Sequence, residues 1–185
     1  GCQYIQSGMY RNVMVIGADT FSNITDWERR DSVFFGDGAG AIVLTSTDEE
    51  RGFIKFELHS DGAGKDGFTV PAGGCETPTT EETMKQGLHC FQMDGKAVFE
   101  TAVSKVPGTI QSVLDHCGLH IDDICCMLPH QPSIRILEEI ASRIGLPWDK
   151  VRTNMDRYAN TSGGTIPIVL DETSSSSSSE IKTSG

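Results

Sequence analysis

The chain has 185 residues, enough for one domain with its own core, with 37% apolar and 7% aromatic residues. Its formal net charge of −11 argues against nucleic acid as a partner. No apolar run reaches the roughly 18 residues a membrane helix needs, and the first residues lack the basic and apolar segments of a signal peptide. Six cysteines show neither Cys-x-x-Cys nor a His–Cys metal spacing; they read as buried, reduced thiols in a cytosol-like compartment.

In chain order, Gln3 to Gly8 reads as the tail of a helix, with Gly8 as its C-cap. Val13 to Asp19 is a continuous apolar run ending near a Gly, which suits a strand buried on both faces. Residues 22–31 form a polar loop. Ser32 to Thr45 carries two short apolar runs joined by Gly36-Asp37-Gly38-Ala39-Gly40. This glycine run resembles a phosphate loop only loosely. A strand-like segment follows it, so no helix N-terminus is at hand for a phosphate, and the dinucleotide reading fails. Residues 48–52 make a turn that divides the chain into 1–47 and 48–185.

Phe53 to His59 alternates as a strand does, and residues 60–90, rich in Gly, Pro and Thr, predict a long irregular loop. Ala97 to Cys117 has helical apolar spacing, with a kink or break at Pro107-Gly108 and a stop at Gly118. Ile124 to Leu128 predicts a buried strand, in which Cys125 and Cys126 face opposite ways. Ser133 can cap a helix with an apolar face of Leu137, Ile140, Ala141 and Ile144, ended by Gly145. Val151 to Met155 is the next strand and Thr165 to Glu172 another helix. The serine run 174–179 reads as a flexible bridge. Helix alternating with buried strand means an α/β layered fold.

Two residues stand out for chemistry. His130 follows one strand in Leu128-Pro129-His130-Gln131. Asn160 follows the next, in Tyr158-Ala159-Asn160-Thr161-Ser162-Gly163-Gly164. Loops at strand ends are where α/β folds place ligands. An imidazole and a carboxamide converging on one carbonyl oxygen can stabilise charge that builds there. The alternatives are a structural His and an Asn serving a turn.

Three blocks carry a resemblance when taken in order: Phe35 to Ala41, Pro129-His130-Gln131, and Asn160 to Pro167 with Leu170-Asp171-Glu172. Together with Trp27-Glu28-Arg29 and Met93-x-Gly95-x-Ala97-Val98-Phe99, they resemble β-ketoacyl-acyl carrier protein synthase III over residues 3 to about 172. That resemblance implies the thiolase-like αβαβα sandwich, incomplete in this chain, and a cytoplasmic homodimer. It implies transfer of an acyl group from acyl-CoA to malonyl-acyl carrier protein with loss of carbon dioxide, and no metal or cofactor.

By the match, His130 and Asn160 hold the malonyl thioester oxygen. Arg29 and Arg135 line the mouth of the pantetheine tunnel, with Lys96 beside Gly95 a lesser candidate for the same role; a surface ion pair is the alternative for each. Met93 and Phe99 wall the acyl pocket or belong to the core. The family's nucleophilic Cys would fall before residue 1 and its closing strands after Gly185, so the chain reads as an internal fragment. Two other readings stay open: a starter-unit enzyme of polyketide metabolism, and a non-catalytic partner of the same fold.

Overall fold

The computed structural model describes residues 1–180, with side chains through Ser175. A short helix α1 (Cys2–Gln6) leads into a hairpin of β1 (Asn12–Asp19) and β2 (Gly38–Thr45). The two strands pair antiparallel along their full length, from Asn12 opposite Thr45 to Asp19 opposite Gly38. Gly8 takes a left-handed φ of 74° just after α1, in line with its reading as a helix stop.

Against one face of the hairpin lie the turn Ser162–Gly164 and helix α6 (Thr165–Glu180). That approach is close enough to require glycine. A Cβ on Gly17 would overlap the carbonyl of Gly163, and one on Gly38 would come within 2.7 Å of Thr161 Cβ. The glycine-rich run before β2 therefore serves backbone packing. β1 is not buried on both faces as its composition suggests. Met14 is 60% exposed and Ile16 66%, because among the described residues this sheet has two strands and α6 covers one side.

A second two-stranded pair, β3 (Phe68–Thr69) and β4 (Gln92–Met93), flanks an aromatic cluster. Phe21 stacks on Phe35 with ring centroids 4.9 Å apart, and Phe91 meets Phe35 edge-on at 4.8 Å. Ile24 and Met93 complete it, and the Phe91 N–H donates to Ile24 O at 2.7 Å. Each such ring pair adds about 0.5–1.5 kcal/mol beyond its burial. The cluster thereby fastens the loop between β1 and β2 to the segment that opens the long helix.

That helix, α3, spans Gly95–Cys117, capped by Asp94 Oδ1 at Lys96 N and Ala97 N and stopped by a left-handed Gly118. It runs on through Pro107 without the expected break; packing against α4 (Ile134–Ile144) offsets the hydrogen bond that proline removes. α4 buries Leu137, Ile140 and Ala141 of its predicted face, and Ile136 besides, while Ile144 is half-buried; it ends at a left-handed Gly145. Arg143 Nη1 donates across the helix pair to Val103 O at 2.9 Å.

Three expected strands do not form. Residues 53–59 pair with no strand among the described residues, and Ile54 and Leu58 are exposed. What ties this segment down is Glu57, whose carboxylate accepts from Ser112 Oγ of α3 at 2.6 Å. Segments 124–128 and 151–155 meet in one parallel bridge, Met127 with Val151. The second turns directly into α5 (Met155–Tyr158), too soon for a longer ladder.

The region 60–90 contains more order than a loop, because Thr80 and Thr83 form a capping box that starts α2 (Glu81–Lys85). The serine run is not a bridge: α6 continues through it to Glu180, with Ser174 Oγ returning to Leu170 O at 2.9 Å. None of the six cysteines is fully buried; Cys75 and Cys125 are exposed, and all are free. Burial and its neighbour Cys125 push the Cys126 thiol above its usual range.

Candidate active site

Two loops hold the residues singled out by the sequence. The first leaves the Met127 bridge and reaches His130 three residues later, before α4 begins. Next to His130, Gln131 is wholly buried. Its Nε2 donates to Pro129 O and Arg152 O, both at 3.1 Å, and its Oε1 accepts from Asn154 N at 3.2 Å. The loop is thus clamped to the segment that leads toward Asn160.

His130 itself is open to solvent at its surface. The protein atoms packed behind the ring still dehydrate it, which lowers its pKa below the ordinary value and favours the neutral imidazole. A neutral ring keeps one N–H to donate.

The second loop follows α5. Asn160 is 7% exposed and sits in a parallel bridge with Phe35. Its N–H donates to Phe34 O at 2.9 Å, and its carbonyl accepts from Gly36 N at 3.0 Å. The side-chain Oδ1 accepts from Ser162 N at 2.9 Å. That bond fixes which end of the carboxamide faces outward. The acceptor is used locally, and Nδ2 makes no hydrogen bond among the described residues. A fixed neutral N–H donor of this kind is what a developing oxyanion requires.

The backbone around Asn160 is unusual. Ala159 has φ 57° and ψ −152°, a region nearly reserved for glycine. The bridge to Phe35 and the bond from Ala159 N to Met155 O hold it there. Beyond Asn160, Thr161 is 1% exposed and shares a 3.2 Å hydrogen bond with Thr165.

A chain of side chains runs on from Gln131 through Asn154 to α6. Asn154 Nδ2 donates to Glu172 Oε2 at 2.9 Å, and Arg157 Nη2 donates to the same oxygen at 3.0 Å. Burial raises the Glu172 pKa, but the bonds from Asn154 and Arg157 outweigh it and leave the carboxyl below its usual range. Among the described residues no hydrogen bond joins His130 to Asn160; the Gln131–Asn154 link ends on Glu172 of α6.

The remaining candidates lie apart from this network. Arg29 is paired with Asp31 at 2.8 Å on the loop between β1 and β2. Arg135 lies exposed in the first turn of α4, with no ion pair among the described residues. Gly95 and Lys96 open α3, and Lys96 Nζ lies 3.8 Å from Glu100. Met93 packs against the phenylalanine cluster, and Phe99 is half-buried on α3.

Asn154 carried no sequence signal of its own, since a polar residue near a strand end usually meets water. Gln131 beside His130 offered the nearest hint.

Residues 1–62 match the family model described as 3-oxoacyl-[acyl-carrier-protein] synthase III, and residues 114–182 match its C-terminal model. The chain is 43% identical over 171 residues to the β-ketoacyl-[acyl-carrier-protein] synthase III of Desulfitobacterium hafniense strain Y51. That alignment takes in 92% of this chain and 52% of the relative, so the chain spans about half the length of the curated relatives it matches. Among solved structures, 3-oxoacyl-(acyl carrier protein) synthase III from Pseudomonas aeruginosa PAO1 superposes with a TM-score of 0.81 at 34% identity, over 92% of this chain and 51% of that one. The enzyme from Aquifex aeolicus VF5 gives 0.82 at 30% identity, over 95% and 52%. The fold is the thiolase-like α/β fold of these structures.

Proposed function

The chain belongs to the 3-oxoacyl-[acyl-carrier-protein] synthase III family, and from that premise we propose that it serves the condensation that initiates fatty-acid synthesis. An acyl group delivered by acyl-CoA is joined to malonyl-acyl carrier protein. The bond from the malonyl α-carbon to its carboxylate breaks, carbon dioxide leaves, and the electron pair passes into the thioester as an enolate. The enolate carbon then attacks the acyl carbonyl, the acyl carbon–sulfur bond breaks, and the sulfur leaves as a thiolate that takes up a proton.

His130 and Asn160 serve the decarboxylation half. Both donate to the thioester oxygen, where negative charge gathers as carbon dioxide departs. The single observation that carries this reading is the orientation of Asn160. With Oδ1 committed to Ser162 N, Nδ2 is left as a neutral donor on a buried, fixed loop. The lowered pKa of His130 supports it, because a neutral ring donates to the oxygen without leaving a full charge in the site. The work falls to side-chain donors, with no metal or cofactor.

Arg29, Arg135 and Lys96 are exposed cations suited to coenzyme A phosphates and to an acidic carrier protein. Met93 and Phe99 face the acyl chain in this reading, beside the turn at Gly95. In this reading the protein acts in the cytoplasm as a homodimer.

The test is direct. The natural protein at its full length is incubated with acetyl-CoA and malonyl-acyl carrier protein, and 3-ketoacyl product and carbon dioxide are measured. Equal yields of the two support the assignment. Neither appearing, with the protein folded, rejects it.

A further inference from the structure

We propose that Gln131 is a positioning residue that sets where the His130 imidazole stands relative to Asn160; this rests on the role given to His130 above. Gln131 is the most deeply enclosed polar side chain near either loop, at 0% exposure. Burying a carboxamide is unfavourable unless its hydrogen bonds are met. Here three are made, and each reaches a different point of the backbone. Pro129 O lies immediately before His130, while Arg152 O and Asn154 N lie on the segment running into α5.

The geometry separates this role from ordinary packing. A side chain needed only to fill space would be apolar. A side chain needed only to cap α4 would bond within its own loop. Gln131 instead joins the backbone on both sides of the parallel bridge between Met127 and Val151, beyond the point where the ladder stops. It continues the register of the two segments where neither strand does. Asn154, whose N–H it holds, also bonds Glu172 on α6, the helix that follows the Asn160 loop. A shift in Gln131 would therefore move His130 without moving the Asn160 loop.

Three variants test this by malonyl-thioester decarboxylation, with kcat, KM and the pH profile measured beside thermal unfolding. Q131M keeps the volume and removes both donors and the acceptor. Its kcat should fall about ten- to a hundredfold with KM little changed, since a small misplacement of a catalytic group costs on this scale. In Q131E the new carboxylate retains an acceptor for Asn154 N but cannot donate to Pro129 O or Arg152 O. Protonation restores one donor, so its activity as a fraction of wild type at the same pH should recover as pH falls. H130A is the reference and should lack decarboxylation.

Full wild-type kcat in folded Q131M, with H130A inactive, overturns the positioning role and leaves the proposed reaction intact. An active H130A overturns the proposed reaction itself. If Q131M does not fold, a Q131E pH profile of wild-type shape overturns the positioning role.

Discussion

The carboxylate of Asp19 accepts a hydrogen bond from the backbone N–H of Gly163 at 2.8 Å, across 144 residues of sequence. It is the polar link between the end of β1 and the loop that carries Asn160. Removing the acceptor in D19A should cost about 0.5–1 kcal/mol, at the low side because water can reach this N–H. Chemical denaturation measures that loss. The kcat for decarboxylation should fall by more than the change in folded fraction, because Gly163 lies three residues from Asn160.

Beside that link, the backbones of Gly17 and Gly163 touch. A methyl group on Gly17 would strike a carbonyl of the main chain, which cannot swing aside as a side-chain tip can. G17A should destabilise the fold by about 1–3 kcal/mol or more. G62A is the control, because a Cβ there meets nothing within 4 Å, and it should stay within about 0.5 kcal/mol of wild type. Equal unfolding midpoints for the two variants would remove the close approach from the account.

The imidazole of His130 titrates below its ordinary value near 6.5 because packing dehydrates it. The sign follows from which form the fold prefers. The folded protein disfavours the charged ring, so the unfolded chain takes the proton first as pH drops. The contribution of neutral His130 is present above about 6.5 and is lost as pH falls through the lowered folded value. Decarboxylation should show the same acid limb. Imidazole resonances followed by NMR should place its midpoint below the ordinary value near 6.5. A midpoint at or above the ordinary value would mean the ring is not dehydrated.

Much of this was legible in the sequence, and the failures have physical causes. Helix α4 was readable because its apolar spacing, Gly stop and amphipathic face agree. Asn160 sits on a loop as expected, but after α5 and not after a strand, because the segment 151–155 turns into helix at Met155. Residues 53–59 alternate like a strand, yet alternation reports two faces and not a partner; what the segment meets is a serine on α3. Pro107 predicts a broken helix, but burial of Val103 and Leu114 on either side keeps α3 continuous. The clamp formed by Gln131 was hidden because its partners are backbone atoms, which any residue supplies. Nor could the free Nδ2 of Asn160 be foreseen, since it depends on a bond from Ser162, a residue with φ 50°.

The central claim is that His130 and Asn160 together steady the thioester oxygen as carbon dioxide leaves. The most direct measurement is release of labelled carbon dioxide from malonyl-acyl carrier protein by H130A and by N160A, each confirmed to be folded. The loss of one preorganised donor predicts a fall of about a hundred- to a thousandfold in each variant. Release within a fewfold of the wild-type rate in either one would contradict it.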